Sequence, residues 1–149
     1  NYDSQINNSF LMSKINLNKL AGLTFFNLSN LFHSIYLDTD LFKNMVMIYY
    51  LDLSNNKILF NNKEKYIFKE NKNIQMLIME NCSIETLDSF KFEIGLKHLS
   101  LKMNSISIIK KNYFYKNENL IYLDLSFNKI EFIEKNSFHQ MNILYINFN

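Results

Sequence analysis

Residues capable of acid, base or nucleophilic chemistry are few in this chain of 149 residues, and their spacing does not resemble a catalytic set. The histidines, His33, His98 and His139, share no metal-ligand spacing. Cys82 is the single cysteine and has no neighbouring histidine that could activate its thiol. Two glycines cannot form the clustered loop of a phosphate site. The sequence therefore predicts no enzymatic activity, no metal and no cofactor.

Asp52 and Asp124 are the remaining candidates, because two carboxylates can act as a general acid and base. Both lie in the same tetrapeptide, Leu-Asp-Leu-Ser, at residues 51–54 and 123–126. A setting that recurs in this way indicates a repeated structural unit rather than one pair of converging side chains. We therefore interpret both aspartates as structural and consider next the elements that position them.

The repeated unit is a frame of the form L-x-x-L-x-L-x-x-(N/C)-x-L, which is clearest at residues 120–130. The same frame fits residues 48–58, 74–84 and 96–106. A degenerate copy starts at Leu23, with Leu31 at the ninth place, where Asn30 is expected to act instead. A final copy starts at Ile143. This frame resembles that of the leucine-rich repeat family.

Each copy of the frame predicts one short strand, because its two central leucines point to the same side with period two. Stacked copies would form a parallel sheet, and the variable back halves would provide the crossovers. We expect an α/β solenoid with a concave parallel sheet, about six coils, and loops and short helices on the convex side. Residues 1–22 are a degenerate preceding repeat or flank, and residues 23–149 form an array truncated at its C-terminal end, with coil starts at 23, 48, 74, 96, 120 and 143.

Two columns of residues are expected to hold neighbouring coils together. The ninth position follows the strand, where a side chain must satisfy the backbone of a sharp turn; the predicted ladder is Asn56, Cys82, Asn104 and Asn128. Phenylalanines recur five or six residues before each coil start, which predicts an aromatic spine on the convex side of the core, formed by Phe42, Phe68, Phe90, Phe114 and Phe138. In this interpretation Cys82 is a buried structural thiol.

Composition excludes several classes of protein. Hydrophobic residues make up 48% of the chain and charged residues 20%, which indicates a globular domain rather than a disordered tail. No apolar run approaches the roughly 20 residues that a membrane span needs. A net charge of +2 is too small to argue for nucleic acid as a partner.

The outward-pointing strand positions would form columns across the concave face, and the third column is rich in aromatic and sulfur-bearing side chains. Such residues are enriched at protein interfaces, where tyrosine is a favoured anchor. The predicted ligand-binding residues, taken from this column and its neighbours, are Tyr50, Met76, Lys97, His98, Met103, Tyr122, Phe127 and Tyr145. We expect a protein ligand or co-receptor, and a homodimer is a further option.

Two features bear on the compartment. N-x-S/T sequons place candidate glycosylation sites at Asn7, Asn27 and Asn81. The back half at residues 130–138 resembles the I-x-x-I-x-x-x-x-F type of repeat found in animal extracellular arrays such as Toll-like receptors. That resemblance implies an extracellular or cell-surface receptor of innate-immune or adhesion type. The alternative is a cytoplasmic repeat protein that acts as a scaffold or regulatory subunit, which the single reduced-type cysteine also suits.

Overall fold

The computed structural model describes residues 20–31, 33–37, 41–60, 67–88, 90, 92, 95–115, 117–139 and 141–148. Six short strands stack side by side in one parallel sheet: β1 (Phe25–Asn27), β3 (Tyr50–Asp52), β5 (Met76–Ile78), β6 (His98–Ser100), β8 (Tyr122–Asp124) and β10 (Tyr145–Asn147). Each strand begins two residues after one of the predicted coil starts. We call the exposed side of this sheet the concave face. The predicted solenoid with a parallel sheet is confirmed.

The inward positions of the frame form the core. Leu51, Leu77, Leu99 and Leu123 are the central residues of four adjacent strands, lie in register, and are 0% exposed. The sixth position of the frame also points into the core, as with Leu53, which is fully buried. Full burial of a leucine side chain contributes about 1.5–3 kcal/mol, so these columns dominate the stability of the stack.

The crossovers contain strands that the frame did not predict. β2 (Ser34–Leu37) pairs with β4 (Lys57–Phe60), and β7 (Ile108–Ile109) pairs with β9 (Phe132–Ile133), each as a small parallel sheet. The rest of the described crossovers are loops and turns without an α-helix, so the short convex helices that were expected are not seen in these ranges. The solenoid makes about four turns, slightly fewer than the six coils expected.

The eighth position of each coil has a left-handed backbone. Its φ is positive in all five coils described there: Asn30 (58°), Asn55 (58°), Asn81 (51°), Met103 (58°) and Phe127 (54°). Asn30 therefore takes the turn position and does not act as a ladder residue, which corrects the expectation for the degenerate coil. The register of β2 with β4 shows why, since Ile35 pairs with Ile58 and the first coil carries two extra residues around Leu31.

Part of the predictions falls on residues that the structure does not describe. The sequon asparagine Asn7 and the predicted flank up to residue 19 lie outside the described residues. Within the described ranges, no helix is long and apolar enough to cross a bilayer.

Candidate recognition face

A continuous ridge of large side chains crosses the concave face at the first position of every sheet strand. We call it the aromatic ridge; its members are in register across the sheet and are Phe25, Tyr50, Met76, His98, Tyr122 and Tyr145. Phe25 is 59% exposed and Tyr145 48% exposed, and the four members between them are partly buried. Register alone brings these residues together, because the first strand position of each coil lies beside that of the next.

The ridge is ordered by ring contacts at both ends. Phe25 and Tyr50 stack with ring centroids 4.1 Å apart and planes 3° apart. Tyr122 and Tyr145 stack at 5.0 Å and 6°, and His98 packs against Tyr122 at 5.8 Å in a tilted arrangement. The separations of 5.0 and 5.8 Å lie in the favourable range for aromatic pairs, and the Phe25–Tyr50 pair is closer still, so these contacts restrict the motion of the rings.

Carboxylates line one side of the ridge. The hydroxyl of Tyr50 lies 3.5 Å from Oδ2 of Asp52, and the hydroxyl of Tyr122 lies 3.3 Å from Oδ2 of Asp124. Between these two pairs, Oε1 of Glu80 accepts a 2.6 Å hydrogen bond from the Ser100 hydroxyl. The face therefore joins aromatic rings to negative charge.

The carboxylates affect the titration of the tyrosines. Burial raises the pKa of Tyr50, and the charge and hydrogen bond of Asp52 raise it further. The pKa of Tyr122 is raised in the same way, by burial first and then by Asp124. Both phenols are therefore protonated at neutral pH and can donate to the neighbouring carboxylate oxygen.

The other predicted ligand-binding residues lie next to the ridge rather than in it. Lys97 precedes β6 and is exposed. Met103 (51% exposed) and Phe127 (65% exposed) occupy left-handed turn positions at the ends of their coils, where they form a second, shorter apolar row. The Lys102 ammonium lies 5.5 Å from the centroid of the Phe127 ring, close enough for a cation–π contact.

The ladder asparagines bind the backbone of two coils at once. The Asn104 amide donates to the carbonyls of Met79 and Leu101 at 2.8 Å, and its oxygen accepts from two N–H groups of the preceding coil, at Cys82 and Ile84. Asn56 donates to Leu28 and Leu53 carbonyls, and Asn128 to those of Leu101 and Leu125.

Cys82 takes the ladder position with a thiol. Its Sγ lies 3.4 Å from the Leu53 carbonyl and 3.3 Å from that of Glu80, and the residue is fully buried. Burial raises the pKa of this thiol to about 11, against weaker opposing backbone hydrogen bonds. A protonated, inaccessible thiol is neither a nucleophile nor a metal ligand.

The ring contacts of the phenylalanine column include residues that were not in the prediction. Phe42 stacks on Phe68 with centroids 6.2 Å apart, and Phe114 stacks on Phe138 at 5.9 Å. In the third coil, Phe92 rather than Phe90 stacks on Phe114, at 6.5 Å. Phe90 instead packs between Phe92 and Phe60, at 5.5 Å and 5.2 Å. Phe92 could be missed because it lies outside the six-residue spacing.

The two described sequon asparagines are on or near the concave face, and both are exposed. The side-chain Oδ1 of Asn27 accepts hydrogen bonds from the backbone N–H and the hydroxyl of Ser29. The side-chain Nδ2 of Asn27 lies 3.4 Å from Oδ2 of Asp52. The side-chain Nδ2 of Asn81 donates a hydrogen bond of 2.9 Å to the side-chain Oδ1 of Asn55. A glycan on Asn27 would therefore stand beside the Tyr50 end of the ridge.

A polar cluster on the crossover side was not predicted from sequence. Lys110 donates to both oxygens of Asp88 at 2.8 and 2.7 Å, and the hydroxyls of Thr86 and Tyr113 are 3.0 Å apart. The Lys110 ammonium also lies 5.8 Å from the Tyr113 ring. This cluster links the third coil to the fourth. Among the residues that the structure describes, no group of three or more His, Cys, Asp or Glu is placed to hold a metal ion.

Comparison with known proteins gives one family model and a number of similar solved structures, two of which are Toll-type complexes. A family model described as leucine rich repeat matches residues 94–149. No curated protein sequence matches the chain. The crystal structure of a TLR13–ssRNA13 complex is 25% identical, with a TM-score of 0.57, over 65% of this chain and 14% of that one.

The second solved structure is the glycosylated Toll–Spatzle complex of Drosophila, at 18% identity with a TM-score of 0.66. It covers 89% of this chain and 18% of that one. The identity is low, so this likeness concerns the fold. The chain thus spans less than a fifth of the length of either structure it resembles.

Proposed function

We propose that this chain, whose solenoid resembles those of Toll-like receptors, is a non-enzymatic leucine-rich repeat recognition module that binds a protein through its concave face. The observation that carries the proposal is the aromatic ridge, which runs unbroken across all six sheet strands. Isolated exposed apolar residues are ordinary on protein surfaces. A contiguous row of large side chains with stacked rings at both ends is typical of an interface, because rigid aromatic side chains lose little entropy on binding.

A protein ligand agrees better with this face than RNA does. Aromatic rings can stack on bases, but RNA affinity also needs cations that follow the phosphates. Here Asp52, Glu80 and Asp124 lie beside the ridge and would repel a phosphate backbone. The TLR13 structure contains an RNA and the Toll structure contains Spatzle, so the resemblance alone does not choose between them.

We further propose that the recognition module belongs to an extracellular or cell-surface receptor of innate-immune or adhesion type. The resemblance to Toll-type solenoids and the exposed sequon asparagines Asn27 and Asn81 support this compartment. Secretion through a eukaryotic host, followed by mass measurement before and after glycan removal, tests it. Misfolding there combined with a soluble product from cytosolic expression would favour the cytoplasmic scaffold instead.

Photo-crosslinking tests the binding face. A benzophenone amino acid replaces Tyr145 on the ridge or, as the matched control, Tyr115 on a crossover, since these tyrosines are 48% and 58% exposed. We expect the ridge probe to form discrete protein adducts in cells or secretions that contain the natural partner. The Tyr115 probe should not form them. Equal adducts from both positions, or adducts with nucleic acid only, would contradict the proposal.

A further inference from the structure

The aromatic ridge contains the same arrangement twice. Strands β3 and β8 both have the sequence Tyr-Leu-Asp, and in each the tyrosine stacks on an aromatic neighbour while its hydroxyl reaches Oδ2 of the aspartate. The stacked neighbours are Phe25 for Tyr50 and Tyr145 for Tyr122. Each arrangement places the faces and edges of two rings beside one carboxylate.

The negative charge in these arrangements is not needed for the fold. Oδ1 of Asp52 accepts from the Ser54 N–H at 2.9 Å, and Oδ1 of Asp124 accepts from the Ser126 N–H at 2.8 Å. In the first coil the neutral side chain of Asn27 makes the same turn, accepting from the Ser29 N–H at 2.8 Å. An amide oxygen is therefore sufficient for the turn. Oδ2 of each carboxylate accepts only long contacts from neutral donors, 3.3 to 3.5 Å from the tyrosine hydroxyls and, at Asp52, 3.4 Å from the Asn27 amide, so the turn does not account for the negative charge.

Neither Asp52 nor Asp124 forms an ion pair with a lysine, arginine or histidine in the described part of the chain. Ion pairs there join Lys110 to Asp88 and Lys69 to Glu70, and they do not include Asp52 or Asp124. Asp124 is only 6% exposed, and its hydrogen-bond donors, the Ser126 N–H and the Tyr122 hydroxyl, are both neutral. A cation supplied by a partner would complement the carboxylate charge. Rings beside a carboxylate are a favourable site for lysine or arginine, which gain a cation–π contact and a charge-assisted hydrogen bond together.

The separation of the two arrangements sets a spacing for the partner. β5 and β6 lie between β3 and β8 in the sheet, so the two sites are three strand spacings apart. At about 4.8 Å per spacing this is about 14 Å. An extended chain advances about 3.3–3.6 Å per residue, so about four residues cover the same distance.

We propose that the concave face binds an extended basic segment of a protein, which presents lysine or arginine at positions i and i+4 to the sites at Tyr50–Asp52 and Tyr122–Asp124. This inference rests on the proposed recognition function and specifies the chemistry of its partner. Glu80 lies between the two sites and its charge acts on both tyrosines, so the path between the sites is also suited to a basic segment.

Peptide binding to the full chain tests the proposal. The probe is a fluorescent peptide of serine and glycine with arginines at i and i+4, measured by anisotropy. The control peptides carry citrulline in place of arginine, or arginines at i and i+2. We expect binding of the i,i+4 peptide, with a loss of about tenfold or more for citrulline. The i,i+2 peptide should bind more weakly because it reaches one site at a time.

Asp52→Asn and Asp124→Asn test the sites themselves, because each retains the turn-forming oxygen and removes the charge. Each variant should lose about tenfold in affinity with an unchanged melting temperature. Thr24→Ala is the matched control, because it changes an exposed position beside the same sheet and leaves Asp52, Asp124 and Glu80 unaltered. Tyr50→Phe and Tyr122→Phe keep the rings, and we expect them to retain most of the binding.

Unchanged peptide affinity in the double variant Asp52→Asn/Asp124→Asn would overturn the proposal. An RNA oligonucleotide that binds in place of the peptide, and binds more tightly to that double variant, would overturn it as well. These failures are distinct from failure of the recognition function itself. If the peptide test failed in either way and the Tyr145 probe still formed specific protein adducts, the recognition function would stand and only the basic partner would be excluded.

Discussion

Individual turn residues carry backbone strain next to the recognition face. Five described coils place a non-glycine residue at positive φ, and three of these residues are asparagine, the type that tolerates the left-handed region best. Met103 and Phe127 occupy the same position with side chains that have no amide to tolerate the left-handed backbone as asparagine does. Strain of this kind persists where a site uses the side chain, which is consistent with contact between these exposed residues and a partner.

Met103→Asn tests the strain. We expect this variant to be more stable by about 1 kcal/mol, because asparagine pays less for the left-handed backbone. Urea denaturation measures the difference. Met103→Ala serves as control, since alanine also lacks a local hydrogen bond and should give no gain. A loss of stability in Met103→Asn would mean that the exposed thioether makes packing contacts worth more than the strain.

The buried thiol gives a second prediction at this scale. Because burial raises the pKa of Cys82 to about 11, its thiolate fraction at pH 7.4 should be about 300-fold below that of an unperturbed cysteine. We expect iodoacetamide to label the native chain at least that much more slowly than the urea-unfolded chain. Mass spectrometry follows the reaction, and Cys82→Ser provides the unlabelled baseline. Rapid labelling of the native chain would contradict the ladder role assigned to Cys82.

At the scale of elements, the sequence predicts the sheet strands well and the crossovers poorly. Each sheet strand follows from two inward leucines with period two. A shift of the strand pairing by one residue would expose buried side chains such as Leu51 and Leu99, so their burial fixes the register. The two-residue strands β7 and β9 carry no such pattern, since Ile108, Phe132 and Ile133 are all exposed. Their pairing follows from the stacking of coils and cannot be read from local composition.

The asparagine ladder should show unequal importance along the stack. Asn104→Ala leaves two buried N–H groups and two carbonyls without partners, so we expect a loss of about 3–5 kcal/mol. Asn128→Ala should lose less, about 1–2 kcal/mol. The Asn128 side chain is partly exposed, and its recorded N–H donor is that of Ile106, whereas Asn104 accepts from two N–H groups. Urea denaturation compares them. Equal losses would show that burial does not control the strength of the ladder.

The crossover cluster predicts a specific dependence of stability on pH. Desolvation alone would raise the pKa of Asp88, but hydrogen bonds from Lys110, Thr86 and Tyr113 outweigh it and lower the pKa. The stabilisation is therefore present above the unfolded pKa of about 3.9 and is lost as pH falls through the lower folded value.

Asp88→Asn measures that contribution. Because both partners are largely exposed, we expect the wild-type chain to melt only about 2 °C above this variant at pH 6. The difference should shrink toward zero between pH 4 and pH 2. Thermal unfolding by circular dichroism follows it, and Lys69→Gln, which alters the exposed Lys69–Glu70 pair, serves as control. A melting-temperature difference that does not change with pH would show that the charge of Asp88 does not contribute to stability.

At the scale of the whole molecule, recognition chemistry is predictable in kind but not in detail. The third column of the frame indicates an exposed ridge from sequence alone, because the register of stacked coils places equivalent positions side by side. The hydroxyl-to-carboxylate contacts of Tyr50 and Tyr122 depend on side-chain direction, which the sequence does not specify. The interpretation of Asp52 and Asp124 as structural accounts for one oxygen of each carboxylate, and the geometry leaves the other oxygen toward the ridge.

The overall charge determines how a basic partner would arrive. The chain carries a net charge of +2, so its long-range field does not attract cations, and the attraction is confined to the carboxylates of the face. Charges separated by more than about 10 Å are screened in physiological salt. We therefore expect the association rate constant of the i,i+4 arginine peptide to change by no more than about twofold between 50 and 500 mM salt.

The dissociation rate constant should respond more, rising several-fold over the same range as salt competes with the bound cations at the two carboxylates. Stopped-flow fluorescence separates the two rate constants, and Asp52→Asn/Asp124→Asn should remove most of the salt dependence of dissociation. A steep fall in association rate with salt would instead indicate steering by a wider negative surface. Such steering would require acidic groups beyond the two tyrosine–aspartate sites, and the basic segment would then bind by general charge attraction rather than by matched spacing.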